Sequence, residues 1–394
     1  MASLTAAACL LLALEEEAAA QAITAYADAE GWGPDTARLG SVGSAGTWSL
    51  ERIESLAEEA ARAFYIKLQE LGWTEGVAAA AAARADASDS TLLAFHLDLV
   101  RSYPTQLILA INHVLFERHG YRRQRRHGDP LDSRLSNVLE NGNGSPGSLA
   151  VLYLELCGRM GLALEPVALE GGRYFVLMPA DNAASLSVAG ERFVIDPYSE
   201  GLLMSEAEIC ELFEVGEGGL QPCSFATMLA GILTVLRDSH WCAAVGCPPE
   251  PLLMVPVSVE VALGEYRDVE VSTSSGEDEA GVPTFRVSFS ESPTEAEVPT
   301  GRQWWPAEGY HLQRALAAAQ KRAWLLPDDL HALLDYALCL YFSKQYEDAW
   351  QELGCVLQAA KGEPLEAATF GEREVEQMEL LWEKMRLQLA FAGS

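Results

Sequence analysis

The stretch NGNGSPGSLAVLYLELCGRMGLALEP, residues 141–166, constrains this chain more than any other. Ser145 is an N-cap residue type, and Pro146 follows at the first helical position, where its missing N–H costs nothing. From Leu149 to Met160 apolar residues fall on nearly every side of a helix, and Gly161 supplies the stop. A surface helix needs a polar side, so this one is predicted to run through the interior of a domain. Three runs follow it: LEPVALE (164–170), RYFVLMP (173–179) and RFVID (192–196). Their Val, Phe, Tyr and Ile lie between clusters of Gly, Asn and Ser, which predicts short antiparallel strands. A buried helix followed by a small antiparallel sheet is an α+β arrangement.

Upstream the chain reads as mostly helical. Helices are expected over 3–28, over 50–71 with Ser49 as cap and Gly72 as stop, over 76–86, and over 91–101 with Ser90 as cap. Another starts at Pro104 and ends before Gly120, and a short one spans 131–140. Downstream, Ser205 caps a helix in MSEAEICELF. The region after it is less orderly: PLLMVPVSVEVALGEYRDVEVSTSS and VPTFRVSFS are candidate strands between acidic, Ser- and Pro-rich loops.

From Trp304 the pattern is helical again. HALLDYALCLYFSKQYEDAWQELGCVLQAA places small or apolar residues at Leu333, Tyr336, Ala337, Leu340, Tyr346, Ala349, Leu353 and Val356. That predicts two antiparallel helices with a turn at Ser343–Gln345, and it resembles a tetratricopeptide repeat. RALAAAQKRAWLLPDD before it reads as the last helix of a partial repeat, and REVEQMELLWEKMRLQLAF as a capping helix. The expected division is a helical region at 1–120, a core at 121–215, a divergent bridge at 216–303 and a repeat-like helical domain at 304–394.

A chain of 394 residues holds more than one ordinary domain, and a formal net charge of −30 repels phosphate backbones and anionic lipid. Nucleic acid and membrane surfaces are therefore disfavoured as partners. Eight cysteines without a framework spacing, several in apolar helical patterns, point to a reducing intracellular compartment. Against the acidic background, Arg122, Arg123, Arg125 and Arg126 form a basic run. It reads either as a docking point for an acidic partner or as a solvated loop that balances nearby carboxylates. His240, Cys242, Cys247 and Cys223 are zinc-binding residue types, but they show no C-x2-C knuckle, so no metal and no cofactor is expected.

INHVLFERHGY, then GDPLDSRLSNVLENGNGSPGSLAVLYLELCGRMGLAL, then VIDPYSEGLLMSEAEI resemble the SirB-type transglutaminase-like family. The resemblance spans 3–215 and 304–390, and its most specific pieces are Gly144–Pro146, LYLEL with Gly161, and IDPY. It implies a papain-like core of helix plus antiparallel sheet with a C-terminal repeat tail. Active members of the wider superfamily use a Cys at the N-terminus of the buried helix, a His on the following strands and an Asp after it. The helix dipole lowers the thiol's pKa there, the His moves the proton and the Asp orients the His. The matching positions here are Pro146, Arg173 and Asp196. Proline carries no nucleophile, and a guanidinium stays protonated and cannot act as a base.

The resemblance therefore implies a non-catalytic interaction or scaffold protein with a protein or peptide partner. Tyr336 and Tyr346 on the tail and the basic run are its candidate contacts. The alternative is a residual peptidase, amidase or acyl transferase with another nucleophile. Ser148 and Cys157 are read as a first-turn hydroxyl bonded to backbone and a core residue. Asp196 is expected to pair with Arg173 if the strands adjoin as in the family.

Overall fold

The computed structural model describes residues 45–73, 90–124, 130–180, 187–188, 191–216, 219–245, 272–277, 283–288, 307–362 and 369–392. The helices expected over 3–28 and 76–86, most of the first candidate strand after 251, and both Arg125 and Arg126 lie outside them.

Helix α1 spans Ala45–Glu70. Ile53, Leu56, Ala57, Ala60, Phe64 and Leu68 recur along it at helical spacing and all are buried, so the periodicity fixed the inward face. It starts earlier than expected: Ser49 lies buried inside the helix rather than capping it. Helix α2 is Ser90–Ser102, and α3 is Pro104–Asn112 with Pro104 in its first turn. A π-helical turn at His113–Arg118 continues α3, and Gly120 at φ +69° ends it. Two short strands, β1 (Arg122–Arg123) and β2 (Asn143–Gly144), pair in parallel around α4 (Leu135–Asn141).

Helix α5, Pro146–Arg159, is the expected interior helix: every residue from Gly147 to Cys157 is buried. At about 1.5–3 kcal/mol for each fully buried large aliphatic side chain, this element anchors the fold. The sheet packs beside it. Strands β3 (Leu164–Leu169), β4 (Tyr174–Pro179), β5 (Ser187–Val188), β6 (Glu191–Asp196) and β7 (Leu202–Ser205) are all antiparallel. The order is β3-β4-β6-β5, with β7 also on β6. Register sets Val167 against Val176, Leu177 against Ile195 and Asp196 against Leu202. One sheet face meets α5; the other holds Val167, Val176, Val194 and Ile209 of helix α6 (Glu206–Leu212). Ser205 and Glu208 close a reciprocal capping box at the start of α6.

The region read as a divergent bridge contains a helix that the sequence analysis did not find. Helix α7, Phe225–Val245, packs on α5, β3 and the β3–β4 turn. FATMLAGILTVL is apolar on all sides, and such a run has no period that separates helix from strand. Ser224, whose Oγ accepts from Thr227 N at 3.0 Å, was the available start signal. Strands β8 (Ser272–Glu277) and β9 (Pro283–Ser288) pair antiparallel.

Four helices follow: α8 (Ala307–Leu325), α9 (Leu330–Phe342), α10 (Tyr346–Gly362) and α11 (Glu372–Ala392). Asp329 caps α9 by accepting from His331 N and Ala332 N, and the predicted turn at 343–345 carries Lys344 at φ +62°. Ala337, Leu340, Ala349, Leu353 and Val356 meet in a second core with Met378 and Met385 of α11. Trp241 of α7 is buried in that core too, whereas Ala318 of α8 belongs to the core around α5. The α7–α8 pair is thus the seam between the sheet-bearing region and the C-terminal helices.

Candidate functional site

The N-terminus of α5 is where the family resemblance places a nucleophile. Ser145 Oγ accepts from Ser148 N at 3.3 Å, and Pro146 occupies the first turn. The Ser148 hydroxyl is fully buried and lies 3.0 Å from Asp132 O and 3.1 Å from Ser145 O, both of which can accept from it. It is a backbone staple at the helix start, not an activated alcohol. Cys157 is buried on the same helix, and burial pushes its thiol far above the ordinary range. The described cysteines Cys157, Cys210, Cys223, Cys242, Cys339 and Cys355 are all free thiols. Burial likewise pushes the Cys339 thiol up to about 12.

Asp196 is 1% exposed. Its Oδ1 accepts from Tyr198 N at 3.0 Å and Ser199 N at 3.3 Å, capping the turn Pro197–Ser199. The Tyr174 hydroxyl donates to both carboxylate oxygens, at 2.9 and 2.8 Å. Burial, followed by the Asp196 charge, raises the Tyr174 pKa far above the usual phenol value. That phenol therefore stays protonated and serves as a donor. Tyr174 is the residue that sequence reasoning missed: it, rather than its neighbour, faces the aspartate.

The expected Arg173–Asp196 pair does not form. Arg173 closes the β3–β4 turn with helical φ/ψ (−88°, −21°). Its Nη2 instead donates to Asp238 Oδ2 of α7 at 3.0 Å. From there an ion-pair ladder crosses the seam. Asp238 accepts from Arg237 Nε at 2.7 Å, Arg237 pairs with Asp335 of α9, and Asp335 pairs with Arg322 of α8. Arg322 also reaches Asp329 at 3.2 Å. Burial dominates over these cations at Asp238 and raises its pKa.

Helix α7 lies directly over these positions. A Cβ built on Gly147 would stand 2.5 Å from Ile232 Cγ1, and one on Gly231 would stand 2.1 Å from Gly172 O. So α7 touches the α5 N-terminus on one side and the turn carrying Arg173 on the other. A cavity of about 310 Å³ remains beside it, lined by Gly171, Gly172, Thr227, Gly231, Arg322 and Asp329.

The other candidates are dispersed. Arg122 is exposed, pairs with Glu200 at 2.9 Å, and is followed by exposed Arg123. Tyr336 is half-buried, with Gln320 donating to its hydroxyl at 3.3 Å; Tyr346 packs its ring 5.6 Å from that of Tyr341. The zinc-type residues do not converge. Cys223 precedes α7 and His240 lies near its other end, roughly 22 Å along the axis at 1.5 Å per residue. Cys247 is outside the described residues. His240 faces His311 instead. Among the described residues no helix is long and apolar enough to cross a membrane.

Residues 50–229 match the family model described as the transglutaminase-like superfamily. Two relatives, each named UPF0162 protein and found in Xylella fastidiosa strains 9a5c and Temecula1, are 28% identical to the chain over 189 residues. Those alignments cover 42% of this chain and 64% of each relative. No solved structure matches the chain. The buried α5, the antiparallel sheet beside it and the family match agree: a transglutaminase-like superfamily domain occupies residues 50–229.

Proposed function

We propose that this chain is a non-catalytic protein-interaction or scaffold protein, in which a degenerate SirB-type transglutaminase-like fold carries tetratricopeptide-like helices. The observation that carries the reading is the seating of α7 against both Gly147 and Gly172. A substrate reaching the α5 N-terminus from that side would meet a packed helix. Three further facts support it. Pro146 offers no nucleophile, Arg173 is tied to Asp238, and Asp196 is held by Tyr174 and its own turn. The partner is a protein or peptide that meets the exposed basic pair Arg122–Arg123 or the aromatic surface at Tyr336 and Tyr346.

Turnover of amide and ester substrates by the purified chain tests the catalytic half. The expected result is no hydrolysis or transfer above that of an Asp196→Asn variant. Turnover that this variant abolishes overturns the reading and makes the chain a residual hydrolase or acyl transferase. Native capture with mass spectrometry tests the binding half, and a partner retained by the wild type is expected to be lost with Tyr336→Ala and Tyr346→Ala or with Arg122→Glu and Arg123→Glu. Point variants suit this test because α8 packs on α7, and deleting the C-terminal helices would uncover Trp241.

A further inference from the structure

The seam contains a pair of imidazoles that the proposed function does not use. His240 of α7 is 1% exposed, and its Nδ1 lies 2.9 Å from Nδ1 of His311 on α8. The ring centroids are 5.2 Å apart. We infer that His240 and His311 form an acid-sensitive latch between α7 and α8, closed while the pair is neutral and parted by its protonation.

The contact itself sets the rule. Two Nδ1 atoms at hydrogen-bond distance need one N–H and one lone pair, so a doubly protonated pair would oppose two N–H groups. The surroundings oppose added charge as well. Arg134 approaches from the segment before α4, next to the turn that carries Asp132, and Arg314 lies on α8, 9% exposed. One turn earlier on α7 stand Arg237 and Asp238, tied to Arg173, to Asp335 beside Cys339 on α9, and through Asp335 to Arg322 on α8. Burial first, then Arg134, His311 and Arg314, lower the His240 pKa to about 2. Burial and Arg134 lower that of His311 as well. The next residue, Trp241, is buried in the C-terminal core with its ring 4.8 Å from that of Phe342, so the latch sits where that core begins.

The direction follows from linkage. Above about pH 6.5 the imidazoles are neutral whether the seam is closed or open, and the latch contributes fully. Below that pH the opened form takes up protons that the closed form refuses. Closure is therefore lost progressively as pH falls from about 6.5 toward the depressed folded values. Each histidine raises the opening constant about tenfold per pH unit across that window.

Hydrogen exchange of the full chain at pH 7.5 and 5.5, corrected for intrinsic rates, reads this directly. The opening constant of α7 and α8 amides is expected to rise at least about tenfold at pH 5.5, while β3 and β4 amides change less. The double variant His240→Gln, His311→Gln is expected to lose that selective rise. Should it fail to fold at pH 7.5, His311→Gln alone keeps a donor for His240 and is expected to show a smaller rise. A seam with no selective response to acid overturns the inference, as does an unchanged response in whichever variant folds. Protonation of His240 near pH 6.5 in a protein that keeps full α7–α8 protection, seen by NMR of the imidazole, also overturns it.

Discussion

Arg237 is a buried cation at the centre of the seam. It is 4% exposed and stands between Asp238 and Asp335. Arg237→Ala leaves two carboxylates short of a cation inside the seam, a loss of about 3–5 kcal/mol for a broken buried pair. Arg173 joins the same ladder from a side chain that is 41% exposed, so Arg173→Ala is expected to cost no more than about 1 kcal/mol. Urea denaturation of both variants checks the contrast; equal losses would remove the argument that burial sets the value of each rung. Glycines give a second contrast. Gly231→Ala places its Cβ against a backbone carbonyl that cannot swing aside, and about 1–3 kcal/mol of overpacking exceeds the helix-propensity gain of up to 1 kcal/mol. Gly158 on α5 has open space around it, and Gly158→Ala is expected to stabilise by about 0.5–1 kcal/mol, read as an upward shift of the urea midpoint. At this scale the sequence showed the position of Asp196 through IDPY but not its partner. The partner depends on which of two neighbours faces it: Arg173 reaches Asp238 on α7, and Tyr174 donates to the aspartate.

Elements were legible where they carried their own punctuation. Helix α5 had a cap, a proline and a closing glycine, and α6 had its capping box. Strands β3, β4 and β6 lay within a residue of their expected bounds because alternating turn clusters bracket them. Helix α7 had only Ser224 to mark it, and its uniform apolar character matched strand and helix equally. Its absence from the sequence reading matters for the site, because α7 packs against both the α5 N-terminus and the turn before Arg173. This leads to an element-scale prediction. The double variant Pro146→Cys, Arg173→His restores the residue types of a thiol enzyme without restoring their arrangement. Residue 173 would still start from a helical backbone beside Asp238, Tyr174 would still hold Asp196, and Ile232 would still cover Gly147. The expected outcome is a folded protein with no amide or ester turnover above background. Measurable turnover would count against the proposal that the seating of α7 keeps the site from acting.

At the scale of the whole molecule, both halves of the seam were visible in the sequence as compositions, an apolar run and an alanine-rich one, yet their pairing was not. Ala315, Ala318, Ala319 and Ala323 of α8 are buried and let that helix approach α7 closely, but small residues do not specify which helix they will meet. The same holds for electrostatics. The sequence states a net charge of −30 and does not say where charge is compensated. The structure places a ladder of Arg and Asp in the seam, whereas α11 carries Glu372, Glu374, Glu376 and Glu379 exposed to solvent. Buried pairs are screened little by salt, whereas exposed like charges within a Debye length of about 10 Å at 0.1 M repel one another and are screened. Self-repulsion of the folded chain should therefore dominate its salt response. Raising NaCl from about 0.02 to 0.3 M at pH 7.5 is expected to lift Tm by about 1–2 °C, since a gain near 1 kcal/mol moves Tm by about 2–4 °C in chains of 150–250 residues and by less in a longer one. Scanning calorimetry with NaCl and KCl at matched ionic strength checks it, because screening follows ionic strength and not ion identity. A fall in Tm across that range would mean that exposed ion pairs, rather than net repulsion, set the stability of this molecule.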